Sequence, residues 1–291
     1  MNCLSRFSPN KSLKDLSTFG IGGLAKYYIE IATIADMQEV ILFCNQSNID
    51  YIVIGKGSNC LFDDRGFDGC VIVNKITFCE IEQTEVFVGA GYSFSLLGVQ
   101  TAKKGLSGLE FASGIPASVG GAVYMNAGAS HQETKDHLIQ VHYVNESGAL
   151  EVLDRNSLDF SYRSSTFQSQ KGAIVAARFS LSSSEVARAK QLDIIRYRTR
   201  TQPYGDKSAG CVFRNPIQGS AGALIEHSGL KGLCLGAAQV SLLHANFIIN
   251  QNDAKAEDIL NLAASVQQRV KEHTGVELEM EIRCIPYQNK M

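Results

Sequence analysis

The spacing of apolar residues divides the first hundred positions into alternating strands and helices. Residues 27–31 read as a strand, and Met37, Val40, Ile41 and Cys44 then recur at helical spacing, predicting a helix over 34–47. Residues 51–54 form a short apolar strand that runs into Gly55-Lys56-Gly57-Ser58-Asn59, and 70–73 and 85–89 predict two more strands. A helix over 93–104 ends at Gly105, the residue type that most readily takes the left-handed turn at a helix C-terminus.

Further along, 138–144 and 150–153 flank Asn145-Glu146-Ser147-Gly148, which is turn chemistry for a hairpin, and 173–181 predicts another strand of an antiparallel sheet. Ser184 can cap a helix running to about Thr199, and Gln202-Pro203-Tyr204-Gly205-Asp206 breaks it, marking a domain boundary. The last hundred residues predict a short helix over 221–228 stopped by Gly229, a strand over 246–250, and a helix with Ile259, Leu262, Ala263, Val266 and Val270 on one face. A final strand over 277–284 would put Glu277, Glu279, Glu281 and Arg283 on one face. There is no repeat, low-complexity tract or charge run.

Composition narrows the classes. A chain of 291 residues has room for two domains or three small ones, and 27 basic against 29 acidic side chains give no bias toward nucleic acid or a membrane surface. Residues 1–9 lack the apolar core of a signal peptide, and no stretch approaches the ~18 apolar residues of a membrane span, so the expected location is the cytoplasm. The 8 cysteines are expected to be free thiols, and without Cys-x-x-Cys or His-x-x-x-His spacing no metal site is expected.

Candidate chemistry begins at residues 108–128. Gly108, Gly114, Gly120, Gly121 and Gly128 alternate with apolar residues, and only Glu110 is charged. Such a segment must be buried, and its close-approaching backbone suits a phosphate-bearing cofactor. The loop Gly55-Lys56-Gly57-Ser58-Asn59 follows a strand but fits neither the dinucleotide fingerprint nor the P-loop, so a tight turn stays open beside a phosphate cradle. Arg163, in Phe160-Ser161-Tyr162-Arg163-Ser164-Ser165, is either a solvated charge or a fork for carboxylate or phosphate. Cys211, in a small-residue turn over 208–216, reads as core packing or as a proton donor.

Taken in order, these segments resemble the UDP-N-acetylenolpyruvoylglucosamine reductase family, flavoenzymes that make UDP-N-acetylmuramate for bacterial peptidoglycan. Ser17-Thr18-Phe19-Gly20-Ile21-Gly22-Gly23-Leu24-Ala25 is similar to the family's entry motif. The loop at 55–59 is similar to its Gly-Gly-Gly-Ser-Asn flavin loop, with Lys56 in place of the middle glycine, and 108–128 match its most distinctive block. Tyr162-Arg163-Ser164, Gln202-Pro203, the 208–216 turn, Leu224-Ile225-Glu226 with Gly229-Leu230-Lys231-Gly232, Gln239-Val240-Ser241 and 278–282 follow in family order.

The resemblance implies an α+β protein whose FAD-binding half has two α/β subdomains of the p-cresol methylhydroxylase type, residues 1–75 and 76–185, followed by an α+β substrate-binding domain, 186–291. It implies non-covalent FAD, its pyrophosphate wrapped by backbone N–H groups of Gly55, Lys56, Gly57, Ser58 and Asn59 and of the segment carrying Ser113, Gly114, Ile115, Pro116, Gly120 and Gly121. NADPH is the implied co-substrate and a small nucleotide sugar the substrate, with no nucleic-acid partner and a monomeric chain expected. In the implied reaction, hydride travels by way of the flavin to the methylene carbon of an enolpyruvyl ether. Arg163 and a protonated Glu281, its pKa raised, hold the substrate carboxylate. Cys211 stands where many members carry the serine that donates the last proton, and a thiol with a pKa of about 8.5 can serve as that acid. Tyr124, Tyr162, Arg198 and Asn215 are expected to line the substrate site, Arg198 toward the diphosphate, with Arg196 and Arg200 close enough to compete. Another FAD oxidase or dehydrogenase on this fold, or a non-catalytic nucleotide-sugar-binding protein, are the alternatives.

Overall fold

The structure, a computed structural model, describes residues 3–287. Helix α1 (Ile34–Gln46) starts where the Thr33 hydroxyl accepts the Asp36 N–H at 3.1 Å, and it buries Met37, Val40, Ile41 and Cys44. Helix α2 (Phe94–Lys103) is capped by Ser93 and is followed by Gly105 at φ 72°. Helix α3 (Val119–Tyr124) lies inside the glycine-rich block and is capped by Ser118; its glycines hid it from helical periodicity. Helices α4 (Ala187–Thr201), α5 (Ala221–His227) and α6 (Ala256–Thr274) complete the set among the described residues. The mixture of helices and sheets is that of an α+β protein.

The chain forms two compact units, one made of Met1–Ser8, Tyr27–Lys56 and Gly69–Arg198, the other of Pro9–Lys26, Gly57–Asp68 and Thr199–Met291; of these, residues 1, 2 and 288–291 lie outside the described residues. In the first unit, Tyr51–Ile54 pairs in parallel with Cys70–Val73 beside α1. An antiparallel sheet runs in the order Leu150–Asp154, Leu138–Asn145, Gly172–Ser180, Glu85–Gly89, Cys79–Glu82. Its Gly172–Ser180 strand is apolar without a break from Ala173 to Ala177 because both faces are covered there: Ala173 and Val175 join the α1 cluster, whereas Ile174, Ala177 and, beyond Arg178, Phe179 join a second cluster with α2 and α3.

In the second unit, Ile259, Leu262, Ala263, Val266 and Val270 form the buried stripe of α6, packed with α5, Ala238–Val240, Ile248 and, from the N-terminal part of the chain, Phe19 and Ile21. Each of the large side chains in that stripe contributes about 1.5–3 kcal/mol by leaving water. The expected strand over 277–284 is shortened. Only Arg283–Ile285 forms a ladder, in parallel with Cys60–Phe62, and Met280 makes a single bridge to Phe213. The intervening backbone is tied by side chains and isolated bonds, so the alternation of Leu278 and Ile282 (buried) with Glu277 and Glu279 (exposed) persists without a ladder. The strand expected at 246–250 likewise begins only at Ile248, and the helix expected from Ser184 begins at Ala187.

Candidate active site

The first unit contains Gly55, Lys56, the glycine block, Arg163 and Arg198. A Cβ at Gly55 would lie 1.9 Å from the Ser118 Oγ, so only glycine lets the end of Tyr51–Ile54 rest on the α3 cap. Lys56 Nζ donates to Ser93 Oγ at 2.8 Å, and Ser93 and Ser118 are themselves bridged, so the caps of α2 and α3 stand side by side. Partial burial depresses the Lys56 pKa from its ordinary value.

The expectation of bare N–H groups along 113–121 needs correction. Ile115 donates to Ala112, Ala117 to Ile115, Val119 to Tyr92, Gly120 to Ala90, and Gly121 to the Ser118 hydroxyl. Gly120 instead permits close approach, since its Cβ would lie 2.9 Å from that of Ala90. The free donors are in the other loop: among the described residues, the N–H groups of Lys56, Gly57 and Ser58 have no hydrogen-bond partner, whereas that of Asn59 bonds the Cys60 thiol. That row of donors, with glycines at 55 and 57 that admit no side chain, fits a cofactor phosphate.

Arg198 is the one of the three arginines aimed at the glycine block: its Cδ and Nε would lie 2.2 and 2.5 Å from a Cβ on Gly114. Arg196 is exposed and pairs with Asp193 at 3.2 Å, and Arg200 is exposed. Arg163 occupies the tip of a hairpin between Phe160–Ser161 and Ser164–Ser165, at φ 55°, a left-handed conformation that costs a non-glycine residue about 1 kcal/mol or more. Its guanidinium donates to the Gly128 carbonyl at 3.0 Å and lies 4.8 Å from the ring centroid of Tyr162. Beneath it, the Tyr124 carbonyl accepts from Ser165 Oγ at 2.6 Å and Gln168 Nε2 at 3.0 Å, and Asn126 donates to the Ser161 carbonyl at 2.9 Å. The end of the glycine block and the Arg163 hairpin are therefore one built structure. Ser118, Asn126 and Gln168 are not singled out by any motif in the sequence, whereas Ser93 is, as the residue at which the helix over 93–104 begins.

The second unit contains Gly57, Ser58, Asn59, Cys211, Asn215 and Glu281. Gly57, at φ 63°, would press a Cβ to 1.8 Å from the Leu16 carbonyl oxygen. Cys211 is half-buried and in no disulfide, and its backbone forms an isolated β-bridge with Phe247, so it is not a sealed core residue. The fully buried Asn246 fixes the turn after it: its carbonyls accept Val212 N–H (2.8 Å, backbone) and Phe213 N–H (2.9 Å, side chain), and its amide donates to the Phe213 carbonyl at 2.8 Å. Glu281 N–H donates to the Val212 carbonyl at 2.7 Å, which places Glu281 beside the residue that follows Cys211. Asn215 Oδ1 accepts the first N–H of α5 at 3.0 Å, a structural contact for an expected lining residue. Six other cysteines, Cys44, Cys60, Cys70, Cys79, Cys234 and Cys284, are free thiols, and the side chain of Cys3 lies outside the described residues. Among the described residues no cluster of His, Cys, Asp or Glu could hold a metal, and no helix is long and apolar enough to cross a membrane.

The chain is a flavin-dependent oxidoreductase, as its likeness to known proteins shows. Residues 25–154 match the FAD binding domain model, and residues 202–285 match the C-terminal domain model of UDP-N-acetylenolpyruvoylglucosamine reductase. The UDP-N-acetylenolpyruvoylglucosamine reductase of Protochlamydia amoebophila is 57% identical over 99% of this chain and 96% of its own, and that of Chlamydia pneumoniae is 47% identical over 96% and 92%. The crystal structure of the reductase from Thermus caldophilus superposes with a TM-score of 0.83 at 38% identity, covering 97% of this chain and 99% of its own. The chain belongs to the UDP-N-acetylenolpyruvoylglucosamine reductase family.

Proposed function

We propose that the protein reduces the enolpyruvyl ether of UDP-N-acetylglucosamine enolpyruvate to UDP-N-acetylmuramate with NADPH, a step of peptidoglycan precursor synthesis, and that it acts as a cytoplasmic monomer. FAD, when bound, supplies the two-electron relay between NADPH and the enolpyruvyl double bond. The N–H groups of Lys56, Gly57 and Ser58 hold its pyrophosphate, Lys56 adds a positive charge, and Ser113, Gly114, Ile115, Pro116, Gly120 and Gly121 shape the surface against it. Arg163, kept in a strained turn, binds the substrate carboxylate and stabilises the charge that develops there. Glu281 shares a proton with the same carboxylate, which requires a raised pKa. Cys211 then gives its proton to the enol carbon that does not receive hydride, completing the addition of hydride and proton across the double bond. Arg198 serves a diphosphate, and Tyr124, Tyr162 and Asn215 line the substrate side. The division into 1–75, 76–185 and 186–291 is part of this reading, although the apolar clusters cross its boundaries: Phe19, Ile21 and Leu61 pack in the α6 cluster, and Val144, Ala173 and Val175 in the α1 cluster.

The observation that carries the reading is the bond from Glu281 N–H to the Val212 carbonyl, which sets the acid and the thiol segment side by side. Cys211→Ala tests it. Flavin reduction by NADPH should stay near wild-type rate, while reoxidation by the enolpyruvyl nucleotide sugar should fall about 10²–10⁴-fold, the usual worth of a positioned acid. Equal rates in both half-reactions would remove Cys211 from the mechanism.

A further inference from the structure

The flavin loop does more than offer N–H groups, because one of its side chains reaches the segment that carries Glu281. Asn59 Nδ2 donates to the Glu281 carbonyl oxygen at 3.2 Å, and the Asn59 carbonyl accepts Arg283 N–H at 2.9 Å. A single loop residue therefore holds the backbone on both sides of Ile282. No ladder does this work: regular pairing begins only at Arg283, and the bridge at Met280 is isolated. Glu281 is thus fixed by its N–H on Val212 and by its carbonyl on Asn59, and losing either bond frees the backbone torsions that aim its side chain. Misplacement of a reacting group by about 1 Å can cost on the order of 10²-fold in rate.

We propose that Asn59 is a positioning residue for Glu281, so that the loop proposed to hold the cofactor phosphate also sets the acid that meets the substrate carboxylate. This rests on the proposed role of Glu281. The neighbouring N–H groups of Lys56, Gly57 and Ser58 are left for the cofactor, and the Asn59 amide side chain serves the acid.

Asn59→Ala removes the donor and keeps the backbone N–H. Asn59→Asp keeps the shape but turns a carboxylate oxygen toward a carbonyl. Both are compared with wild type, Glu281→Gln and Asn59→Ala/Glu281→Gln, reading FAD dissociation constant, flavin reduction by NADPH, and reoxidation by the enolpyruvyl nucleotide sugar. The expected result, measured with FAD saturating, is reoxidation slowed about 10- to 100-fold more than flavin reduction is. The double variant should be no slower than Glu281→Gln alone, because both changes act through one residue. Reoxidation at wild-type rate overturns the proposal, as does loss of FAD from both Asn59 variants, or a double variant whose losses multiply. If Glu281→Gln itself reoxidises normally, the underlying role of Glu281 has failed instead, and the positioning proposal falls with it.

Discussion

At the scale of single residues, the two departures from the family pattern, Lys56 and Cys211, are the most informative positions. Lys56 sits on the cap of α2, where the helix dipole disfavours a cation, and among the described residues no carboxylate pairs with it. A bound phosphate relieves both costs. Lys56→Gly should weaken FAD binding about tenfold at low salt, as expected for a charged hydrogen bond of about 1.5 kcal/mol, and flatten the salt dependence of the dissociation constant. Wild-type affinity should also decline as pH rises through the depressed Lys56 pKa, since the neutral amine no longer attracts an anion; an affinity unaffected by the substitution would reduce Lys56 to a partner of Ser93. For Cys211, turnover should fall on the alkaline side as the thiol ionises, and Cys211→Ser should move that limb upward, because a hydroxyl stays protonated there. Asp63 offers a test of stability. Bonds from the Arg65 side chain at 2.7 and 2.9 Å, helped by the N–H groups of Arg65 and Tyr287, hold its carboxyl well below the usual carboxylate range. A depressed folded pKa means stability that is present above the unfolded value of about 3.9 and lost as pH falls toward the folded one. Acid titration of unfolding should therefore be shallower in Asp63→Asn below about pH 4.

At the scale of elements, legibility followed the period of the pattern. Helices α1, α2 and α6 were readable because buried residues recur on one face with a cap at one end, and the hairpin around Asn145-Glu146-Ser147-Gly148 because its turn residues have one use; the Gly148 N–H closes it on the Asn145 carbonyl at 2.9 Å. Helix α3 was not readable, since two of its 6 residues are glycine and its helicity comes from Ser118 and from burial against Ala90. The final strand was overextended because alternation records burial, not pairing, and residues 276–279 alternate without any ladder. In the site, the loop glycines, Arg163 and Cys211 stood out by type, but the contacts that position them come from Ser118, Gln168 and Asn246, whose partners lie 63, 44 and 33 residues away in sequence and leave no local signal. The α6 stripe is where packing energy is most concentrated in its unit: Leu262→Ala should lower stability by about 2–5 kcal/mol in urea unfolding while FAD affinity of the folded fraction is kept.

At the scale of the whole molecule, the two compact units divide the proposed site residues. The glycine block, Lys56, Arg163 and Arg198 belong to one, and Asn59, Cys211 and Glu281 to the other, with the loop at 55–59 cut between Lys56 and Gly57. Gly57→Ala is therefore expected to be more damaging than its size suggests, since the added Cβ meets the Leu16 carbonyl in a left-handed backbone. The most direct test of the account is an anaerobic experiment on the purified holoprotein, following the visible absorption of bound flavin while NADPH and then the enolpyruvyl nucleotide sugar are added. Bleaching by NADPH followed by full recovery on adding the sugar, one equivalent for each flavin, is the predicted result. Bound flavin that NADPH does not bleach, or bleached flavin that recovers only when oxygen is admitted, would contradict the account.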